Sequence, residues 1–317
     1  MTDWKPISLE GVSSYPLAER PSKVRTEDFG KPWEAGGDFG AWLRGLPNIL
    51  AASDFRNAAA SIVHAVQKEN LVILAMGAHP IKVGLSPVII DLMERGILRG
   101  LSMNGACIIH DTEIAMAGQT SEDVAARLGT GSFGMAEEPA TFLNEAIREG
   151  AKAGMGLGAS VGSRLADAHL PHGECSILAR AFKLGIPVTV HVAIGTDTIH
   201  FHPSVDGASL GQTTHLDFRL FARLVSRLEG GVFINLGSAV ILPEVFLKAV
   251  SLVRNLGHQV KNVTTINMDF IRQYRPLANV VQRPTLEGGD GYFLIGHHEL
   301  MFPLLAAAVL EGLKEEG

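Results

Sequence analysis

The chain has 317 residues, 46% of them hydrophobic and 19% charged, with 35 glycines and a formal charge of −6. It is long enough for a sizeable core and too apolar for disorder. An acidic balance without clustered lysine and arginine offers no duplex-binding face, so nucleic acid is not an expected partner.

Residues 1–40, rich in proline, glycine and charge, read as an extended arm ahead of a single α/β domain over 41–317. The three tryptophans, Trp4, Trp33 and Trp42, fall in or just beyond the arm. That aromatic area is expected to pack on the protein's own body or on a neighbouring subunit. Residues 1–25 lack the apolar core of a signal peptide, and no run reaches the ~18 apolar residues that span a bilayer. No membrane partner is expected, and the expected compartment is the cytoplasm. Cys107 and Cys175 are too few and too far apart for a disulfide framework or a zinc ribbon, and read as reduced thiols.

From residue 54 the pattern becomes regular. A helical stretch at 54–68 leads into an apolar strand at 71–76. Ser86-Pro87 opens a helix over 86–95, with serine as cap and proline in the first turn. Gly96 stops it, and a second strand follows at 98–103. Residues 133–170 are helical and Gly-rich, and read as an insertion beside the sheet. Beyond them the pattern gives helices at 175–184, 214–228, 243–256 and 299–313. It also gives strands at 187–193, 231–236, 260–266, 278–282 and 292–295. Short apolar strands alternating with helices imply a parallel sheet covered on both faces, a doubly wound, Rossmann-like α/β domain.

Such sheets bind ligands beyond the carboxyl ends of their strands. There the sequence places Gly77-Ala-His79 through Lys82 and Gly84, Asn104-Gly105-Ala106 with His110, Asp111 and Glu113, and Gly195-Thr-Asp197 with His200 and His202. Gly237-Ser238-Ala239, Asn267-Met-Asp269 and His297-His298 complete the set. Gly237-Ser238-Ala239 ahead of a helix is a candidate phosphate cradle, although tight turns also use glycine for steric reasons alone. Gly77 and Gly84 do not form a Gly-x-Gly-x-x-Gly fingerprint, and no Walker loop is present. Ser160, Ser163 and Ser176 lack a nucleophile elbow. His200 and His202, with Asp197, Asp206 and His110, have the composition of a metal site. Lys82 is either a cleft-edge amine or a solvated loop charge.

Over about 71–307, order and spacing resemble deoxyhypusine synthase and its bacterial relatives. The resemblance rests on Gly185-Ile-Pro-Val-Thr189, Leu236-Gly-Ser-Ala-Val240, Arg254-Asn-Leu-Gly257 and Glu299-Leu-Met-Phe-Pro-Leu-Leu305. It implies a homotetramer that binds NAD at the sheet edge and oxidises an amine or polyamine-like small molecule. The cofactor contacts it implies are Gly77, Gly84, Asn104, Gly105, Ala106, Gly237, Ser238, Thr265, Ile266, His297 and His298, with Asp111 or Glu113 as the ribose-binding acid. Asp197 would orient the substrate, and His200 or His110 would accept a proton.

The chain departs from the family where the imine-forming lysine is expected: no lysine lies between Lys261 and Lys314. The acids after the fifth strand thin to Asp269, near Arg272 and Arg275. The reading is therefore an NAD-dependent enzyme of this group with no metal, distinct from a maker of deoxyhypusine. Two alternatives stand beside it: a metal-dependent hydrolase using His200, His202 and Asp197, and a catalytically inactive nucleotide-binding protein.

Overall fold

A computed structural model describes residues 4–315; the first three residues of the expected arm lie outside them. The chain divides into a unit ending at Ser53 and a second unit from Asp54 onward. In the first unit the regular elements are two short 3-10 turns and α1 (Phe39–Gly45). Asp38 caps α1 by accepting the Ala41 amide at 2.6 Å. The ring of Trp42 lies 5.5 Å from that of Phe39, while Trp4 and Trp33 are exposed.

The second unit is one six-stranded sheet. Its strands are β1 (Val72–Met76), β2 (Gly100–Asn104), β3 (Val188–His191), β4 (Val232–Leu236), β5 (Thr264–Asp269) and β6 (Gly291–Ile295). All neighbours pair in parallel, in the order β3-β2-β1-β4-β5-β6. The chain therefore starts at the centre, builds outward to β3, returns past β1 and builds outward again. The reversal between β1 and β4 is the topological switch point of a doubly wound domain.

The helices are α2 (Leu50–Gln67), α3 (His79–Lys82), α4 (Ser86–Glu94), α5 (Gly105–Ala117), α6 (Val124–Leu128) and α7 (Glu137–Lys152). They continue with α8 (Leu157–Asp167), α9 (Ile177–Lys183), α10 (Gly207–Val225), α11 (Ile241–Asn255), the short α12 (Tyr274–Pro276) and α13 (His298–Glu315).

Burial explains why the central strands are uninterrupted apolar runs. Ile73 and Ala75 of β1 share one core cluster with Phe233 of β4 and with Phe221, Phe246 and Val250 from α10 and α11. The rings of Phe233 and Phe246 stack at 3.7 Å. Val72, Leu74 and Met76 point to the other face, since side chains alternate along a strand, and are equally buried. Each such side chain contributes about 1.5–3 kcal/mol.

The edge strand β3 is closed by α8 and α10. Asp217 of α10, fully buried, accepts the amides of Val190 in β3 (2.7 Å) and Gly158 in α8 (2.8 Å). Thr214 donates to the Val190 carbonyl at 2.8 Å. Gly158 is glycine because a β-carbon there would overlap the Val188 carbonyl. The segment expected as an insertion, 133–170, thus stands at the β3 edge.

Three expectations are corrected. Residues 278–282 are not a strand: α12 runs on into a π-helical turn, Leu277–Gln282, in which Asn279 donates to Glu244 of α11. The apolar pair Val280-Val281 looks like a strand but is buried on a helical face. The fifth strand runs to Asp269 rather than ending at 266, because its polar Asn267 and Asp269 are buried. Ser86 does not cap α4; it is the first helical residue, its hydroxyl is buried without a partner, and Leu85 holds the cap position. Gly96 does end that helix, at φ +69°.

Candidate functional site

At the switch point β1 and β4 end side by side in Gly77 and Gly237. The Gly77 amide bonds to the Leu236 carbonyl at 3.1 Å, and the Gly237 amide to the Met268 carbonyl at 3.0 Å. A β-carbon at Gly77 would stand 2.9 Å from the Gly237 carbonyl oxygen. One at Gly237, whose φ is +69°, would stand 2.5 Å from Cε1 of His298. These glycines are required by close packing, and the imidazole of His298 covers the turn that a phosphate would need. Just beyond, α11 begins without a side-chain cap at Val240. Ser238 Oγ accepts the Leu242 amide at 3.2 Å, and Val240 is 49% exposed. The amides that open this 15-residue helix, with its positive dipole end, are the feature here that fits an anion. Gly84, at φ +81°, has open space around it.

Over β1, β2 and β3 the same edge holds a cavity of about 210 Å³. Its walls include Lys82 from α3, Ala106, His110 and Glu113 from α5, and Thr196, Asp197 and Thr198 from the loop after β3. It adjoins a more open cleft of about 770 Å³, and Glu113, Ser121 and Glu122 line both. Glu138 adds a further carboxylate to the larger cleft. Four acids against Lys82 give the combined space a negative character.

Three side chains there form a chain of hydrogen bonds. Thr120 Oγ1 donates to Glu113 Oε2, so it accepts from His110 Nδ1 at 2.6 Å. That assignment puts the ring proton on Nδ1 and leaves Nε2 of His110 as a free lone pair. Burial pushes the Glu113 carboxyl up, but the bonds to His110 and Thr120 outweigh it and hold it below the usual range.

Asp197, which also lines this cavity, is met from behind its lining by His200. The Asp197 carboxylate lies over Cα of Gly105, where any β-carbon would overlap its Oδ2. That oxygen is buried without a hydrogen bond, 3.7 Å from Nε2 of His200. His200 Nδ1 accepts the amides of Gly195 (3.1 Å) and Asp197 (3.4 Å). Its proton therefore sits on Nε2, facing the carboxylate. His200 steadies Asp197 and has no lone pair free to receive a proton, which corrects its expected role. Burial pushes the Asp197 carboxyl above the usual range, against the pull of His200 and His110.

Several expected contacts lie elsewhere. Thr265 and Ile266 are fully buried near the start of β5, about 10 Å short of its carboxyl end at ~3.3 Å per residue. They cannot touch a ligand at that edge, because β5 continues past Ile266 to Asp269. Asp111 is also buried, and it accepts the Ser176 hydroxyl (2.6 Å) and the amides of Ile177 (2.8 Å) and Leu178 (3.2 Å), capping α9 from α5. Its carboxyl is pushed up to about 6 by burial, and it is not a ribose-binding acid. Asn104, at the end of β2, accepts the Cys107 thiol at 3.1 Å. His297 is exposed beside Phe270.

The histidine cluster of the hydrolase reading comes apart. His202 is held by Ser204 (2.8 Å) and Glu137 (3.1 Å), and Asp206 caps α10 through the Ala208 amide. Among the described residues no three His, Cys, Asp or Glu side chains converge to hold a metal ion. Thr120, which links His110 to Glu113, carries no sequence signal that would single it out.

No family model matches the chain, and no curated protein matches it in sequence. Solved structures resemble it in fold. Unliganded AgrE matches at a TM-score of 0.53 and 13% identity, over 83% of this chain and 32% of that one. A conserved protein from Methanococcus maripaludis S2, described as LOR/SDH, matches at 0.51 and 14% identity, over 83% and 70%. A chain from Entamoeba histolytica assigned as deoxyhypusine synthase is covered over 96% of its length, at 0.47 and 14% identity. The present chain spans 31–33% of the ArgZ and AgrE chains. What the AgrE and LOR/SDH chains share with this one is the fold. Among the described residues no helix is long and apolar enough to cross a membrane.

Proposed function

We propose that the protein is an NAD-dependent enzyme that takes a cationic amine into the acid-lined cleft and removes a proton from it at His110. The observation that carries this reading is the His110–Thr120–Glu113 chain in the wall of a cavity that Asp197 also lines. A base needs a lone pair within reach of the substrate and a partner for the charge it acquires. His110 Nε2 is the former, and Glu113, held charged, answers the latter through Thr120.

Asp197 attracts the cationic group, and Glu122 and Glu138 extend the same negative character outward. Gly105 contributes by letting the Asp197 carboxylate lie against the start of α5. For the cofactor, the amides opening α11 are suited to a diphosphate, at the switch point where doubly wound sheets bind dinucleotides. Bound NAD supplies the hydride acceptor. AgrE, which shares the fold, has been crystallised with ornithine and NAD+, and ornithine is a diamine of the expected charge. Assembly as a homotetramer and residence in the cytoplasm belong to the same reading.

Calorimetric titration with NAD+ tests the cofactor claim. Micromolar binding is expected, and it should be lost in Val240→Glu, which sets a like charge at the α11 start on an exposed position. Equal binding by that variant would move the cofactor elsewhere. The amine claim is tested by following nicotinamide reduction with putrescine, spermidine and ornithine. His110→Gln should lower the rate about 100-fold or more; an unchanged rate would sink the assignment.

A further inference from the structure

The group that closes the switch-point crevice is more than a plug. His298, the first residue of α13, is 1% exposed. Its Nδ1 lies 3.1 Å from Nδ1 of His79, the first residue of α3. Its Nε2 makes no hydrogen bond and lies 4.0 Å from Oδ1 of Asp269, at the end of β5. The carboxylate is itself 3% exposed and accepts the Phe270 amide at 2.8 Å. Three elements thus bring one acid and two imidazoles into line.

Two facing Nδ1 atoms at 3.1 Å require one donor and one acceptor. If His298 donated, its Nε2 would present a buried lone pair to a carboxylate, leaving two acceptors opposed with no proton between them. The other arrangement puts the His298 proton on Nε2, toward Asp269, and makes its Nδ1 the acceptor. His79 must then carry its proton on Nδ1. The remaining nitrogen, Nε2 of His79, is a bare lone pair on an exposed residue just past the end of β1.

We infer that Asp269, His298 and His79 form an electrostatic relay that presents Nε2 of His79 as a proton-accepting site for a ligand hydroxyl or ammonium on the exposed face just past the end of β1. The proton leaves the ligand for Nε2, and the electron pair of the broken O–H or N–H bond stays on the ligand. The imidazolium so formed keeps its Nδ1 proton on His298, whose Nε2 proton faces Asp269, and the positive charge is met by the carboxylate without a second transfer. Burial pushes the His298 imidazole below its usual range, and His79 works in the same direction; Asp269, the Met268 backbone and Glu299 oppose them. The relay does not depend on the amine reading, since it engages none of the residues of the acid-lined cleft.

Nitrogen-edited NMR of the full-length protein, without cofactor or amine, reads the tautomers directly. The expected result is His79 protonated on Nδ1 and His298 on Nε2. In Asp269→Asn the preference of His79 for Nδ1 should be lost, with the ring returning to the mixture shown by free imidazole. Diethyl pyrocarbonate, which acylates a bare imidazole nitrogen, should modify His79 and spare His298 in peptide mapping. A wild-type His79 protonated on Nε2, or one that diethyl pyrocarbonate leaves untouched, overturns the relay and needs no variant to fold. Failure of NAD+ or amines to bind leaves it standing.

Discussion

Over β2 and β3 the loops stand apart and, with Lys82 of α3 at the margin, leave a cavity of about 210 Å³ walled by His110 and Asp197. Over β1 and β4 they close on each other, and a buried histidine fills the space that remains. Both regions belong to one sheet edge, and both aim an imidazole through a hydrogen-bonded partner. The difference lies in the length of chain that leaves each strand. After β2 the chain spends over eighty residues on α5 to α9 before it re-enters the sheet, which raises walls around a space. After β4 it turns within a few residues into α11, and α13 delivers His298 onto Gly237. The edge of a doubly wound sheet is therefore a place where a site can be built, and loop length decides whether it is open or filled.

The strongest way to break the comparison is to force the crevice open. Gly237→Val adds a side chain where φ is +69° and His298 is already in contact, so a loss of about 3 kcal/mol or more is expected in denaturant unfolding. A near-neutral result would mean that the crevice is not closed. Behind the cleft, Asp111→Ala leaves the amides of Ile177 and Leu178 and the Ser176 hydroxyl without their acceptor. About 3 kcal/mol should be lost there too, which thermal unfolding reads.

A smaller expected effect lies on the cleft side. In Gly105→Ala the new methyl meets the buried Asp197 carboxylate, so about 2 kcal/mol of stability is expected to go, while amine affinity should fall sharply as Asp197 is displaced. Unaltered amine affinity would remove Asp197 from the site.

The most delicate contrast is in pH. The Asp111 carboxyl is raised from 3.8 to about 6, so the folded chain holds this proton more tightly than the unfolded one. Its contribution is complete below about pH 4 and is lost as pH rises through 6. His298 is lowered from 6.5 by burial and by His79, so its contribution is complete above 6.5 and is lost as pH falls. Stability differences from the wild type, measured between pH 4 and 6.5 for Asp111→Asn and His298→Gln, should therefore slope in opposite directions. Parallel slopes would show that the two sides do not differ in electrostatic character.

Much of this architecture is legible in the residues. Val72–Met76 and Val232–Leu236 read as buried strands because both faces are covered, and Gly96 marks a helix end because only a left-handed residue fits there. Thr264–Asp269 is less legible, since its buried Asn267 and Asp269 look like loop, and Val280-Val281 misleads because a helical turn buries it equally well. Strand ends mark the carboxyl edge of the sheet, where His110, Glu113 and Asp197 line one cavity. The partners that assign protons to those rings were not readable: Thr120 and His298 reach them through space, over intervals that no periodicity encodes.

Asp217 and Thr214 have a consequence beyond stability. They occupy the outward amide and carbonyl of β3, the groups through which a further strand would add. An exposed edge of this kind is a template on which chains of the same sequence can stack. Here the template is already taken from within, and growth of the sheet from one molecule into the next is closed at β3.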